Sequence, residues 1–158
     1  VKAQLDLSDF SDTVNCRIGA YFEEKDAGFA TLDHNIAVDQ KIWGGYLELE
    51  PSDRLVLGLL YDHFEDANGK RSDEIEADIE AQLDQYWTIK FGAKYSDLNT
   101  PGGTKGTNGS RTDLAAKVSY APDSDRTFYA FGQGTVSRTG DRAQNHRGGA
   151  GARLALTE

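Results

Sequence analysis

Hydrophobic and polar residues alternate over long stretches of this chain, and a period of two predicts antiparallel strands rather than helices. The clearest stretch runs from Ser72 to Asp97. Ile75, Ala77, Ile79, Ala81 and Leu83 alternate with Glu74, Glu76, Asp78, Glu80 and Gln82. After Asp84-Gln85-Tyr86, the apolar set resumes with Trp87, Ile89, Phe91, Ala93 and Tyr95 against Thr88, Lys90, Gly92 and Lys94. A hairpin folded about Gln85 sets Leu83 against Trp87, Ala81 against Ile89, Ile79 against Phe91 and Ile75 against Tyr95. The other face then brings Glu80 to Lys90 and Glu76 to Lys94. Apolar pairs on one side and opposite charges on the other are how cross-strand pairs stabilise a sheet. Ile75, Ile79 and Leu83 also stand at helical spacing, and Glu and Ala favour helices. The complementarity of both faces decides for the strand.

The same pattern recurs on either side. Ile36 to Leu49 leads through Glu50-Pro51-Ser52-Asp53 into Leu55, Leu57, Leu59 and Tyr61; setting Leu49 against Leu55 puts Leu47 on Leu57 and Trp43 on Tyr61. Leu114, Ala116, Val118 and Tyr120 run into Ala121 to Arg126, and Phe128 to Val136 returns with faces that are hard to tell apart. Val1 to Leu7 and Val14 to Ala20 form an earlier pair, and Gly148 to Leu156 closes the series. The connections alternate in kind. Short turns are expected near Ser8–Asp12, Glu50–Asp53, Asp84–Tyr86 and Pro122–Arg126. Longer polar loops are expected over Glu23–Asp33, Asp66–Ser72, Asn99–Arg111 and Thr139–His146. The count is about nine strands in one domain, residues 1–158: an all-β, antiparallel up-and-down barrel of 8–9 strands, or part of a larger transmembrane barrel. Short turns at one rim and long loops at the other describe the transmembrane kind, with the short turns periplasmic.

Particular segments carry a family likeness. Ser119-Tyr120-Ala121-Pro122 with Asp125-Arg126, then Phe128-Tyr129-Ala130-Phe131-Gly132-Gln133, resembles the strand-turn-strand unit of Gram-negative outer-membrane β-barrel proteins. Gly149 to Glu158 looks like a second such unit, and Trp43-Gly44-Gly45-Tyr46 and Gly92-Ala93-Lys94-Tyr95 are similar in style. The resemblance implies a porin-like barrel in the bacterial outer membrane, with the lipid bilayer as its partner. Such barrels usually end in a strand with a terminal aromatic residue, whereas this chain ends Leu156-Thr157-Glu158. With the odd strand count and the missing initiator Met, this leads to the expectation of a fragment, completed by further strands or domains of a longer chain.

Composition narrows the function classes. Of 158 residues, 26 are acidic and 17 basic, a net charge of −9, with no cluster of Lys and Arg of the kind that nucleic acid requires. Cys16 is the one cysteine, so an intrachain disulfide is excluded. No run approaches the ~20 apolar residues of a transmembrane helix. A mean hydropathy of −0.59 does not argue against a membrane barrel, because only alternate strand positions meet lipid.

Candidate chemistry is sparse. His34, His63 and His146 are far apart and share no metal-ligand spacing with Cys16, so they read as solvated side chains. Gly102-Gly103-Thr104-Lys105-Gly106-Thr107 lacks the glycine spacing of a phosphate-binding loop and reads as an exposed loop. Asp66-Ala67-Asn68-Gly69 and Asp123-Ser124-Asp125 offer oxygens but no calcium-loop spacing, and turn chemistry explains both. No catalytic residue, metal site or cofactor is expected. Glu76, Asp78, Glu80, Lys90 and Lys94 are expected to face a lumen, and Trp43, Tyr61, Trp87 and Tyr95 to form interfacial girdles. The functional expectation is a passive pore or membrane anchor, not an enzyme. The alternative is a soluble lipocalin- or avidin-like barrel with a small apolar ligand inside.

Overall fold

The computed structural model describes residues 1–6, 15–28, 37–102 and 108–155. Among these, nine strands succeed one another: β1 (Lys2–Asp6), β2 (Asn15–Lys25), β3 (Gln40–Ser52), β4 (Leu55–Asp66), β5 (Arg71–Gln82), β6 (Trp87–Asn99), β7 (Gly109–Tyr120), β8 (Arg126–Arg138) and β9 (Arg147–Leu154). They pair in chain order as one antiparallel meander, and among the described residues no ladder joins β1 to β9. The expected turn at Ser8–Asp12, His34, most of the Gly102–Thr107 loop and Leu156-Thr157-Glu158 lie outside the described residues.

Strands β2 to β8 are 11–13 residues long. Strands of ordinary globular sheets run to about 5–6 residues, whereas a tilted transmembrane strand needs ~9–11. The β5–β6 hairpin has the register expected from its two faces: Ile75 opposes Tyr95, Glu76 opposes Lys94, Ile79 opposes Phe91 and Glu80 opposes Lys90. Its turn is closed by Asp84, whose Oδ1 accepts the N–H groups of Tyr86 (2.7 Å) and Trp87 (2.8 Å).

The β3–β4 register differs from expectation by two residues. Leu49 opposes Leu57, Leu47 opposes Leu59, and Trp43 opposes His63 rather than Tyr61. The cause is the turn. β3 continues through Pro51 to Ser52, which pairs with Leu55, and the ladder slips between Leu49 and Ser52. Pro51 has no N–H to donate, so a bulge at a strand end accommodates it. An even displacement leaves every side chain on its expected face.

The connection expected over Asp66–Ser72 is also shorter than predicted. β4 and β5 extend to Asp66 and Arg71, leaving four residues, 67–70, between them. Asp66 Oδ1 accepts N–H groups from Asn68 (2.9 Å) and Lys70 (3.0 Å), and Gly69 takes the left-handed conformation (φ 79°) that the tight reversal needs. The oxygens of this segment are thus used in turn formation.

The blurred faces of β8 have a structural origin. The β7–β8 ladder slips at Thr112/Asp113, where Thr112 opposes Ser137 and Asp113 opposes Thr135, so Val136 is an extra residue. Tyr129 and Phe131 lie on the polar face, their rings over Gly151 and Gly149 of β9, where a β-carbon would collide with them. Aromatic rings filling the space above strand glycines compensate for the packing that glycine lacks.

The sheet has no conventional core. Cys16 is the buried hydrophobic residue among those described, while His63 (5% exposed), Ser96 (3%) and Asp113 (5%) are buried polar ones. Leu59, Phe91 and Leu114 are 47%, 53% and 47% exposed. Burial is inverted relative to a protein that folds around an apolar interior.

Candidate functional site

The register places one row of charge after another on the polar face. Glu74, Glu76, Asp78 and Glu80 of β5 stand opposite Ser96, Lys94, Gly92 and Lys90 of β6. Lys94 Nζ reaches Glu76 Oε1 at 2.5 Å and Glu74 Oε2 at 2.9 Å, and Lys90 Nζ reaches Glu80 Oε2 at 3.2 Å and Asp78 Oδ2 at 3.8 Å. The five charged residues singled out from the sequence therefore meet on one face. Glu74 completes the group. Its membership follows from the period of two, although sequence reading did not single it out. On the same face, Arg17 lies 3.4 Å from Glu48 and 3.9 Å from Asp6. Exposed or half-exposed pairs of this kind contribute little to stability, about 0–1 kcal/mol each. Their consequence is the potential along the face.

Across β6 the sign of the charge changes. β7 to β9 present Arg111, Lys117, Arg138, Arg147 and Arg153 on this face, with Asp113 among them. Asp113 is buried because it is used twice: its Oδ2 lies 2.8 Å from Arg111 Nε and its Oδ1 accepts from Thr135 Oγ1 at 2.6 Å. Lys117 Nζ stands over the Tyr129 ring, 4.9 Å from its centroid. Sequence reading did not identify this basic region, because its cations are scattered over three strands and a connection. Only the register collects them.

The opposite face is apolar at mid-strand and aromatic toward both ends. At the end nearer the long connections, Trp43 packs edge-on against Tyr61 (centroids 5.2 Å apart) and stacks on His63 (4.9 Å). Phe22 opposes Trp43, and Tyr95 opposes Ile75 in the next row. At the short-turn end, Trp87 packs on Tyr120 (4.7 Å), with Tyr86 6.2 Å from Tyr120, and Phe128 opposes Tyr120. Trp43, Tyr61 and Tyr95 are thus in one band and Trp87 in the other. Tyr95 and Trp87 are eight residues apart on β6, roughly 27 Å along a strand and about 20 Å along the normal at a ~40° tilt. That approaches the ~25 Å apolar band of an outer-membrane barrel.

His63 corrects one expectation. It is not a solvated side chain but is buried in the upper aromatic band. Its Nδ1 lies 2.7 Å from Asp73 Oδ1, which also accepts from the Tyr61 hydroxyl at 2.9 Å, while Arg71 Nε donates to Asp73 Oδ2 at 3.0 Å. The environment follows from the observed register, which sets His63 between Trp43 of β3 and Asp73 of β5. His146 remains at the rim, at the end of the β8–β9 connection.

At the short-turn rim Asp123 organises the β7–β8 turn. Its Oδ1 accepts from Asp125 N–H at 3.1 Å, and its Oδ2 accepts from Arg126 Nε at 2.7 Å and from a second guanidinium nitrogen. The Arg126 guanidinium holds the Asp123 carboxyl below the usual aspartate range, aided by the N–H of Asp125. Here too the side-chain oxygens of the Asp123-Ser124-Asp125 segment serve the turn. Among the described residues, no group of three or more His, Cys, Asp or Glu side chains converges as metal ligands would.

No protein-family model matches the chain, and no curated protein sequence matches it. Among solved structures it is similar to OmpT (in-vitro folded), an outer membrane protein of Vibrio cholerae. The superposition has a TM-score of 0.56 at 16% sequence identity and covers 90% of this chain and 51% of that one. The present chain therefore spans about half the length of that protein, and the likeness is one of fold: an antiparallel strand meander of the outer-membrane β-barrel type.

Proposed function

We propose that this nine-stranded meander is part of the wall of a β-barrel in the bacterial outer membrane, and that the barrel is a passive pore for small hydrophilic solutes. The apolar face meets acyl chains, the aromatic bands sit at the two interfaces, and the polar face lines an aqueous lumen. In this reading Glu76, Asp78, Glu80, Lys90 and Lys94 are lumen residues. The single observation that carries it is the inverted burial: Leu59, Phe91 and Leu114 stand about half exposed at mid-strand, while Asp113 and Ser96 on the opposite face are buried. A soluble barrel that bound an apolar ligand would enclose the apolar face; here that face is open.

Closure follows from the physics of the bilayer. An unpaired strand edge in hydrocarbon leaves backbone N–H and C=O groups unsatisfied at several kcal/mol each. The free edges of β1 and β9 must therefore pair, with each other or with further strands. Nine strands alone would enclose a lumen largely filled by side chains, and an aqueous path of the ~16–18-stranded kind needs more. No chemical step belongs to this reading: the wall sets the size and charge of what passes.

The test has two stages. The chain is refolded with and without detergent micelles, and its circular dichroism and hydrodynamic size are recorded. A β spectrum dependent on micelles is expected, whereas a compact monomeric β protein in plain buffer would sink the membrane assignment. Proteoliposomes are then tested for swelling in sugar solutions. Swelling is the expected result; a micelle-dependent fold without permeability would leave an anchor, not a pore.

A further inference from the structure

We propose that the polar face carries, near the long-connection rim, a binding site for a small oxyanion (the phosphate or carboxylate group of a solute), formed by Arg111, Arg138 and Arg142. Arg111 and Arg138 are directly opposed across the β7–β8 ladder. Arg142 arrives from the β8–β9 connection and donates from Nη2 to Ser96 Oγ at 2.8 Å. Ser96 itself pairs with Arg111 across β6–β7. Arg111 Nη1 donates to Ala143 O at 3.2 Å and Arg138 Nη1 to Arg142 O at 2.7 Å. Two guanidinium groups thus donate to consecutive carbonyls of one connection, and the third, that of Arg142, reaches the neighbouring Ser96.

The connection that presents Arg142 is held in place. Thr139 N–H donates to Ser110 O (2.9 Å) and Asp141 N–H to Asn108 O (2.8 Å). Thr135 N–H donates to Asn145 O (3.1 Å), and Asn145 N–H returns to Thr135 Oγ1 (2.8 Å). Gly140 turns the chain at φ 59°. A cationic group on such a support is pre-organised, which lowers the cost of binding.

The cations are incompletely neutralised. Asp113 is the carboxylate in ion-pair contact with this group, through Arg111. Glu74, which faces Ser96 from β5, is committed to Lys94 at 2.9 Å. Asp141 forms no ion pair with the three arginines among the described residues. The forks are also incompletely used. Each guanidinium spends one terminal nitrogen on the protein, and among the described residues the other finds no partner. Arg142 Nε is buried and has no hydrogen-bond partner among them either. A buried donor without an acceptor is costly, and a guanidinium fork matches the paired oxygens of a carboxylate or phosphate. Three positive charges against one negative, with spare donors, select an oxyanion.

The proposal rests on the pore reading only in that the polar face is wet. The probe is inorganic phosphate, titrated into the folded chain in micelles and followed by 31P line broadening, with circular dichroism as the check on folding. Saturable broadening is expected in the wild type. Arg138→Gln and Arg142→Gln should each weaken it about tenfold or more, the loss of a charge-assisted hydrogen bond. Arg138→Lys keeps the charge but loses the fork, and should fall between. Lys70→Gln, which removes a cation elsewhere at the same rim, should change nothing. Arg138 is exposed, so its variants test binding even where Arg142→Gln disturbs the connection. Absence of saturable broadening, or equal losses in Lys70→Gln and Arg138→Gln, would overturn the site. Phosphate binding without liposome swelling would retain the site and remove the pore.

Discussion

Asp73 accepts from the Tyr61 hydroxyl, His63 and Arg71 at once, toward the rim of the face that is apolar at mid-strand. A carboxylate there is stable because three donors meet its two oxygens, and without it the buried His63 Nδ1 would lose its hydrogen-bond partner. Asp73→Ala should therefore destabilise the fold by about 1–3 kcal/mol, the cost of leaving buried polar groups unsatisfied. Urea unfolding in lipid vesicles checks this, and a loss well below that range would mean that solvent replaces the carboxylate. Asp123, at the other rim, behaves differently. Its folded-state pKa lies below the unfolded one, so its contribution is complete above the ordinary aspartate range and disappears as pH falls through the depressed value. Asp123→Asn should narrow the difference from wild type as pH drops from 7 to 3, measured by unfolding midpoints. An unchanging difference would show that Asp123 acts through its turn hydrogen bonds alone.

Among the strands, position parity decides tolerance. On β6, Phe91 points to the apolar face beside Ile79 and Ala116, while Gly92 lies on the polar face between Asp78 and Ala115. An arginine at mid-bilayer facing lipid costs about 2–4 kcal/mol, whereas the same side chain in a lumen remains hydrated. Phe91→Arg should sharply reduce folding into vesicles, and Ala115→Arg should leave it nearly intact. Equal effects would contradict the facial assignment. The bulges modify this simple rule at two places. The ladder slips by one residue between Leu49 and Ser52, and Val136 interrupts the alternation of β8. Both lie toward strand ends, where a ladder can lose a pair without exposing a mid-membrane backbone group.

For the whole sheet, the charge of the polar face has a direction. The carboxylates of β5 stand on one side of Lys90 and Lys94, and the arginines of β7 to β9 on the other. Surface charges act over about 8–10 Å at physiological salt, so each side governs the ions nearest to it. Replacing Glu74, Glu76 and Glu80 together with Gln should shift the reversal potential of reconstituted channels toward anion preference, more strongly at low salt. A shift that ignores ionic strength would count against a water-filled lumen. The chain spans 51% of the length of the outer membrane protein that it resembles in fold. The measured conductance would report how wide the closed barrel is.

Period-two alternation, readable in the sequence, determined the strands, their order and their faces, because side-chain direction in a strand depends on parity alone. For that reason Glu76–Lys94 and Glu80–Lys90 were legible as pairs, and Trp43, Tyr61, Trp87 and Tyr95 as residues of one face lying toward its two ends. Register was legible where both faces were informative, as in β5–β6. It failed in β3–β4, where runs of leucine match equally well two residues apart and Pro51 sets the turn. The tertiary structure alone decided what comes together from distant segments: His63 beneath Trp43 with Asp73, and Arg111, Arg138 and Arg142 around one connection. Such groupings depend on bulges and on where a loop folds back, and neither leaves a periodic trace in the chain.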